Sequence, residues 1–289
     1  MQLKETKTIK KVSIFANSQK AESSTLVHEI HSYLQMRGIA DDIYLTLDAN
    51  DIKGVDKDTD LAIILGGDGT VLSCARLLHA YGIPMLAVNL GTFGFITEIA
   101  KNEWKVAFEE YERGIAQVSR RVMIRVSVNR KNKRVFQSHS LNEVTISSSG
   151  LSKMISLHLY INETLAGLFR SDGVIVSTPT GSTGYSLAAG GPILDVHLDA
   201  LIINPICPFT LSNRPLVVSG DDIVKATVDK GQRTKIALSV DGQVLFLLEE
   251  DDEIVIEKSR SKALLIESTK RNYYEVIRDK LNWSGGLHA

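Results

Sequence analysis

Apolar positions in the first third of the chain follow two alternating rhythms. Residues 12–16 are a short apolar run ending in the polar pair Asn17-Ser18, which predicts a strand and a turn. Leu26, Ile30, Tyr33 and Leu34 then fall at helical spacing, with Ser23 or Ser24 placed to cap the helix and Gly38 to stop it. Residues 43–47 predict a second strand. Residues 61–65 are apolar at every position, which suits a central parallel strand covered by helices on both faces. Residues 71–81 predict a helix with Val71, Leu72, Ala75 and Leu78 on one side, closed by Gly82 and Pro84. A strand over 84–89 and a helix over 103–113 follow. Repeated strand–helix–strand units predict a parallel sheet.

Beyond about residue 118 the period falls to two. Val122, Ile124, Val126 and Val128 alternate with Met123, Arg125, Ser127 and Asn129. The basic run 130–134 reads as a solvated turn before another extended run from Val135. Short strand-like runs occupy 157–161, 165–169, 174–176, 223–228, 235–240, 244–248 and 253–256. Asn162-Glu163 separates the first two, and Asp241-Gly242 is a hairpin signal. The acidic run 249–253 reads as a solvated connection, and 273–281 as a closing helix before a Gly-containing tail. The expected fold class is an α/β N-terminal domain with a parallel sheet plus a β-rich C-terminal domain. The expected domains are residues 1–117 and 118–267, with 268–289 packing back on the first.

A length of 289 residues agrees with two domains. Apolar residues at 44% and charged residues at 23% are an ordinary globular balance. Lys plus Arg total 33 against 34 for Asp plus Glu, so the net charge is −1. Such a chain has no bulk attraction for nucleic acid or anionic membrane, and neither is an expected partner. No apolar run approaches the ~18 residues of a membrane span, and the polar start lacks a signal-peptide core. Cys74 and Cys207 lie in apolar segments and read as reduced core residues of a cytoplasmic protein. The seven histidines show no metal-ligand spacing, so no metal site made of protein side chains is expected.

Gly66-Gly67-Asp68-Gly69-Thr70 sits between a buried strand and a helix. In open α/β sheets ligands bind beyond the carboxyl ends of strands, and a helix start suits phosphate. Glycines let backbone approach a ligand closely. Asp68 either caps the helix, or holds a metal, or takes a proton from an attacking hydroxyl. The stretch is neither a Walker A loop nor a Gly-x-Gly-x-x-Gly fingerprint. A second candidate runs from Asp172 to Pro192. There Ser177, Thr178, Thr180, Ser182, Thr183 and Ser186 offer six hydroxyls, and Gly181 and Gly184 expose backbone between them. Small donors at that density suit ribose, base and phosphate edges, and Tyr185 can stack on a ring. The alternative is a surface loop whose hydroxyls satisfy its own backbone.

Taken together, these stretches resemble the NAD kinases. The resemblance rests on Gly66 to Thr70, Gly91-Thr92-Phe93-Gly94-Phe95-Ile96, Asn142-Glu143, Asp172-Gly173, residues 178–192 and Asp241-Gly242-Gln243. The Gly-Gly-Asp-Gly element is shared with diacylglycerol kinases, sphingosine kinases and phosphofructokinases, whereas the 178–192 element is far more specific. The resemblance implies transfer of the ATP γ-phosphoryl group to the 2′-hydroxyl of the adenosine ribose of NAD, in a cleft between the domains. It implies Asp68 as proton acceptor and Gly69 in contact with the dinucleotide. Asn142 and Glu143 would hold the adenosine part. Phe95 would pack on the adenine side, and Thr180, Thr183, Gly184, Tyr185, Ser186, Leu187 and Ala188 would line the pocket. Arg170 and Asp172 would touch the dinucleotide from the same or a neighbouring subunit, with Lys153 and Gln243 as further contacts. A divalent ion such as Mg²⁺ and a homodimer or homotetramer are implied too. Phe209 departs from the family, which usually has His there. A lipid kinase sharing Gly-Gly-Asp-Gly is the alternative, but it should lack the 178–192 loop. A non-catalytic dinucleotide sensor is another, and it would form no NADP.

Overall fold

The structure is a computed structural model. It describes residues 6–16, 21–45, 52, 54–91, 94–150, 154–210, 212–232 and 234–283. Asn17-Ser18, the end of the expected second strand and the C-terminal tail lie outside the described residues. The chain divides into two compact units, one of residues 1–120 with 263–289 and one of 121–262.

The first unit begins β1 (Lys11–Ala16), α1 (Ala21–Met36), β2 (Ala40–Leu45), β3 (Leu61–Gly66) and α2 (Asp68–Leu78). It continues with β4 (Met85–Asn89), β5 (Ile99–Ala100), α3 (Trp104–Glu112) and β6 (Val118–Arg121). The sheet order is β2-β1-β3-β4, then the late strand Ala263–Ile266, then β6, with β5 on β4. β1 pairs in parallel with β2 and β3, and β3 with β4. Every residue of β3 is buried because its two faces serve two helix layers. Leu61, Ile63 and Leu65 join a core with Leu26, Ile30 and Leu34 of α1 and Trp104 and Phe108 of α3. α2 buries Val71, Leu72, Ala75 and Leu78 and packs on β3.

α1 starts at Ala21 and α2 at Asp68. Both lie ahead of the expected starts, so Ser23 and Ser24 fall inside a helical turn rather than before it. The strand Ala263–Ile266 and β6 both belong to this sheet, although the sequence reading assigned 118–267 to the second domain. Neither is a long alternating run, and only pairing marks them as part of it.

The second unit holds β7 (Ile124–Arg130), β8 (Lys133–Ser140), β9 (Glu143–Ser148), β10 (Ile155–Ile161), β11 (Thr164–Ser171) and β12 (Gly173–Ser177). A 3₁₀ turn (Thr180–Thr183) and the short α4 (Tyr185–Ala188) follow. Next come β13 (Ala200–Ile206), β14 (Leu216–Ser219), β15 (Val224–Val228), β16 (Ile236–Val240), β17 (Val244–Leu248) and β18 (Glu253–Lys258). They form two antiparallel six-stranded sheets, β11-β10-β15-β18-β7-β8 and β14-β13-β12-β9-β16-β17. The alternating residues Ile124, Val126 and Val128 of β7 share one core with Val144 and Ile146 of β9 and Val174 and Val176 of β12. Asn162-Glu163 and Asp241-Gly242 make their turns with positive φ at both residues, as type I′ hairpins require.

Three expectations are corrected in this unit. Cys207 is exposed, with φ 45°, because it sits on the turn leaving β13 and not in the strand. The basic run 130–134 and the acidic run 249–253 are not both solvated. Arg130 donates from Nε to Asp252 Oδ1 and from Nη2 to Oδ2, each at 2.8 Å, and Asp252 is fully buried. The third is β13, unread in the sequence because Asn204 and Pro205 interrupt its apolar run.

Within the first unit, Glu103 holds two cations of the C-terminal segment. Glu103 accepts from Arg271 at 2.7 and 3.2 Å and from Lys270 at 3.3 Å. Those cations, Arg271 foremost, hold its carboxyl down to about 2. The carboxylate is thus more acidic folded than unfolded. Its contribution is present at neutral pH and is lost as pH falls from the usual carboxylate range towards 2. Glu103→Gln is expected to lower the unfolding free energy by about 1 kcal/mol at pH 7. Urea melts at pH 7 and pH 3 should show the difference narrowing with acid.

Candidate functional site

The first unit places Gly66 opposite Asn89 in the parallel β3–β4 register, at the carboxyl edge of the sheet. Ligands bind beyond such an edge. α2 begins one residue after its N-cap Gly67, with no side-chain cap. Asp68 therefore does not cap its helix, and its carboxylate crosses to the loop after β4. Oδ2 accepts the Phe95 N–H at 2.8 Å. Oδ1 accepts the N–H groups of Ile96 at 3.3 Å and Thr97 at 3.1 Å, and the Thr97 hydroxyl at 2.9 Å. The loop can come this close only because residue 94 is glycine: a Cβ there would lie 1.7 Å from Asp68 Oδ1. Gly69 is exposed beside the carboxylate. The half-buried Phe95 ring faces the Lys280 ammonium, 5.0 Å from its centroid.

The second unit builds its site on the turn between β8 and β9. Buried Asp241 accepts the Asn142 N–H at 2.8 Å, the Leu141 and Glu143 N–H groups at 3.3 Å, and the Ser140 hydroxyl at 2.6 Å. Its own N–H donates to the Glu143 carbonyl at 2.9 Å. The Asn142 carbonyl in turn accepts the Thr178 N–H at 2.9 Å, drawing the 178–184 turns onto the same place. A Cβ on Gly181 would stand 2.2 Å from that carbonyl oxygen, so this approach requires glycine.

Packing leaves three buried acceptors here without a protein partner: Asn142 Oδ1, Glu143 Oε2 and Thr180 Oγ1. Unpaired buried polar atoms are costly, so a cluster of three on adjoining turns calls for an explanation. Glu143 is 7% exposed. Burial pushes its carboxyl up to about 7, helped by the Asp241 charge and opposed by the Tyr185 backbone N–H.

The six hydroxyls do not act alike. Ser177 donates to the Asn142 carbonyl, Thr178 to that of Leu141, Ser182 to that of Pro179 and Thr183 to that of Thr180. Ser186 takes the Asn204 amide at 3.3 Å. Of the six, Thr180 alone keeps a buried hydroxyl with no partner. Tyr185 is 47% exposed and its ring is open for stacking. Gly184 and Leu187 are half-buried and Ala188 is exposed.

The other predicted residues are not all gathered by this frame: Glu143 faces Ser177 across β9 and β12, while Gly173, next to Asp172, faces Ser147 at the other end. Arg170 is exposed on β11, with its guanidinium 5.3 Å from the Phe209 ring centroid. Asp172 is half-buried and gives its N–H to the Ile206 carbonyl at 3.0 Å. Gln243 is exposed in the hairpin after Asp241. Lys153 lies outside the described residues. Sequence reasoning missed Asn89, Thr97 and Asp241 as supports. Asp241 was legible as a hairpin residue and as part of the Asp241-Gly242-Gln243 element of the resemblance but not as a support, and nothing local marks Asn89 or Thr97. Among the described residues no group of three or more His, Cys, Asp or Glu side chains is placed to hold a metal ion. No helix among them is long and apolar enough to cross a membrane.

Family models match both units. The ATP-NAD kinase N-terminal domain covers residues 40–116 and the ATP-NAD kinase C-terminal domain covers 141–268. The NAD kinase of Treponema denticola is 41% identical over 277 residues, spanning 96% of this chain and 98% of that protein. That of Geotalea daltonii is 38% identical over 285 residues, spanning 95% and 99%. The crystal structure of yeast NADH kinase complexed with NADH superposes with a TM-score of 0.84 at 25% identity, over 97% of this chain and 90% of that one. An NAD kinase from Archaeoglobus fulgidus in complex with ATP gives 0.76 at 25% identity, over 94% and 98%. With both domain models in order and relatives this similar end to end, the chain belongs to the ATP-NAD kinase family.

Proposed function

We propose that this NAD kinase transfers the γ-phosphoryl group of ATP to the 2′-hydroxyl of the adenosine ribose of NAD, with Asp68 as proton acceptor. The observation that carries the reading is the set of buried, unpaired acceptors on Asn142, Glu143 and Thr180. Ribose hydroxyls and an adenine amino group are donors of the kind such acceptors need. The yeast neighbour binds NADH and the archaeal one ATP, which supports a dinucleotide and a triphosphate as the two substrates.

Phosphoryl transfer asks for alignment and charge compensation more than for covalent chemistry. Asp68 stands at the carboxyl edge of the sheet with its carboxylate held by the 95–97 backbone. It orients the hydroxyl and accepts its proton. Glu143 and Asn142 grip the adenosine end, with Thr180 and Tyr185 beside them. Gly69, Phe95, Thr183, Gly184, Ser186, Leu187, Ala188 and Gln243 complete the contacts in this reading. Lys153, Arg170 and Asp172 add to them, the last two from the same or a neighbouring subunit of a dimer or tetramer. The donor set among the described residues does not suit a protein-held metal. A divalent ion such as Mg²⁺, carried by the triphosphate, would supply charge compensation there.

A coupled assay of NADP formation, run with NAD against NADH and ATP against polyphosphate, tests the reading. Asp68→Asn is expected to keep the fold with some loss of stability, since its amide nitrogen cannot accept the Phe95 N–H, and to lose about 100-fold or more in kcat. Wild-type turnover in that variant would remove Asp68 from the chemistry, and no NADP from the wild type would leave a dinucleotide sensor. Ribose hydroxyls bind the ionised form of Glu143. The Kd for NAD should therefore tighten about tenfold between pH 6 and pH 8, with a flat profile in Glu143→Gln. Calorimetric titrations across that range decide it.

Stability should move the other way. A carboxyl raised from 4.5 to about 7 favours the fold at low pH, and that support fades as pH rises through 7. Glu143→Gln is expected to gain about 2 kcal/mol at pH 8 and little at pH 5. Denaturant melts that show the variant less stable at pH 8 would contradict this.

A further inference from the structure

Thr97 is fully buried, and three groups meet at its hydroxyl oxygen. Asn89 Nδ2 donates to it at 2.9 Å and the Gly94 N–H at 3.1 Å, while Asp68 Oδ1 lies 2.9 Å away. The orientation of the Asn89 amide follows from its other end, where Oδ1 accepts the Gly91 N–H at 2.6 Å. A hydroxyl has one proton and two lone pairs. Both nitrogens can only donate, so both lone pairs are filled and the single proton points at Asp68 Oδ1. That oxygen then carries three donors, from Ile96 N, Thr97 N and Thr97 Oγ1. Oδ2 carries one, from Phe95 N.

We propose that Thr97 is a positioning residue for phosphoryl transfer: locked by Asn89 and Gly94, its hydroxyl saturates Oδ1 of Asp68 and reserves Oδ2 for the substrate's proton. This rests on Asp68 being the proton acceptor. The 2′-oxygen forms a bond to the γ-phosphorus, the bond from that phosphorus to the ADP oxygen breaks, and the hydroxyl proton passes to Oδ2. ADP leaves with the bonding electrons, and the proton later returns to solvent. Losing the Thr97 hydroxyl frees Oδ1 to accept the substrate in a second, misaligned geometry, while the dinucleotide contacts on Asn142, Glu143 and Thr180 are untouched. The loss therefore falls on kcat and spares binding.

The test is steady-state kinetics of Thr97→Val and Thr97→Ser beside Asp68→Asn, with melting curves for each. Thr97→Val should lose 10- to 100-fold in kcat with the KM for NAD within threefold. Thr97→Ser, which restores the hydroxyl, should recover to within threefold of wild type. If Thr97→Val does not fold, Thr97→Ala is judged by the same split, with at least a fivefold fall in kcat expected. Full kcat in the Val or Ala variant while Asp68→Asn is inactive overturns the role of Thr97 and leaves the base reading standing. Failure of Ser to rescue, or a loss carried by KM, also overturns it. Full turnover in Asp68→Asn removes the reading beneath.

Discussion

A carboxylate that accepts several consecutive backbone N–H groups forces the donating segment into one shape. It is acceptor-only and has about four lone-pair positions, so neighbouring amides must converge on it to be satisfied. Both units build their sites on this device. Asp68 gathers the amides of 95–97, and Asp241 gathers those of 141–143. In each case the segment so shaped is an irregular connection between strands, where no ladder would otherwise hold it. Irregular backbone thereby gains the definition of secondary structure. Two glycines with no room for a Cβ, Gly94 and Gly181, stand where backbone meets those turns.

Rigidity of the turns is what permits unpaired polar atoms elsewhere. Asn142 Oδ1, Glu143 Oε2 and Thr180 Oγ1 stay buried without a protein partner on the 140–143 and 178–184 segments. They are held apart by Asp241, by the Asn142 carbonyl and by hydroxyls that serve the loop itself. Of the six hydroxyls between residues 177 and 186, five are engaged in hydrogen bonds and that of Thr180 is buried without a partner. A loop rich in Ser and Thr thus spends most of its hydroxyls on its own structure. The raised Glu143 carboxyl follows from the same arrangement, since a rigid turn cannot reorganise to solvate the charge. Stability given up as pH rises through 7 is the consequence of that buried acid.

Much of the architecture was legible in order. The all-apolar run at 61–65 became the fully buried β3, because only a strand with helices on both faces can hide every residue. The period of two from residue 122 became β7, and the closing helix appeared at Tyr273–Leu281 with a capping box at Asn272 and Glu275. Asp241-Gly242 and Asn162-Glu163 made the hairpins their turn chemistry demands. The starts of α1 and α2 were read late, the second because Gly67 and Asp68 carry no apolar periodicity. β9 and β13 were not read as strands: Thr145, Asn204 and Pro205 break their patterns, although pairing on both sides holds them.

Local sequence determined burial, period and turn geometry, because each of these is set by residues a few positions apart. It also carried the Gly-Gly-Asp-Gly and 178–192 elements that mark the family. Tertiary structure decided which polar atoms meet. Thr97 reaches Asp68 across 29 residues, Asn142 reaches Asp241 across 99 and Arg130 reaches Asp252 across 122. No pattern in the intervening chain encodes such a pairing. A hydrogen bond takes whichever donor packing brings within 3 Å at the right angle, and that choice exists only once the sheets have formed.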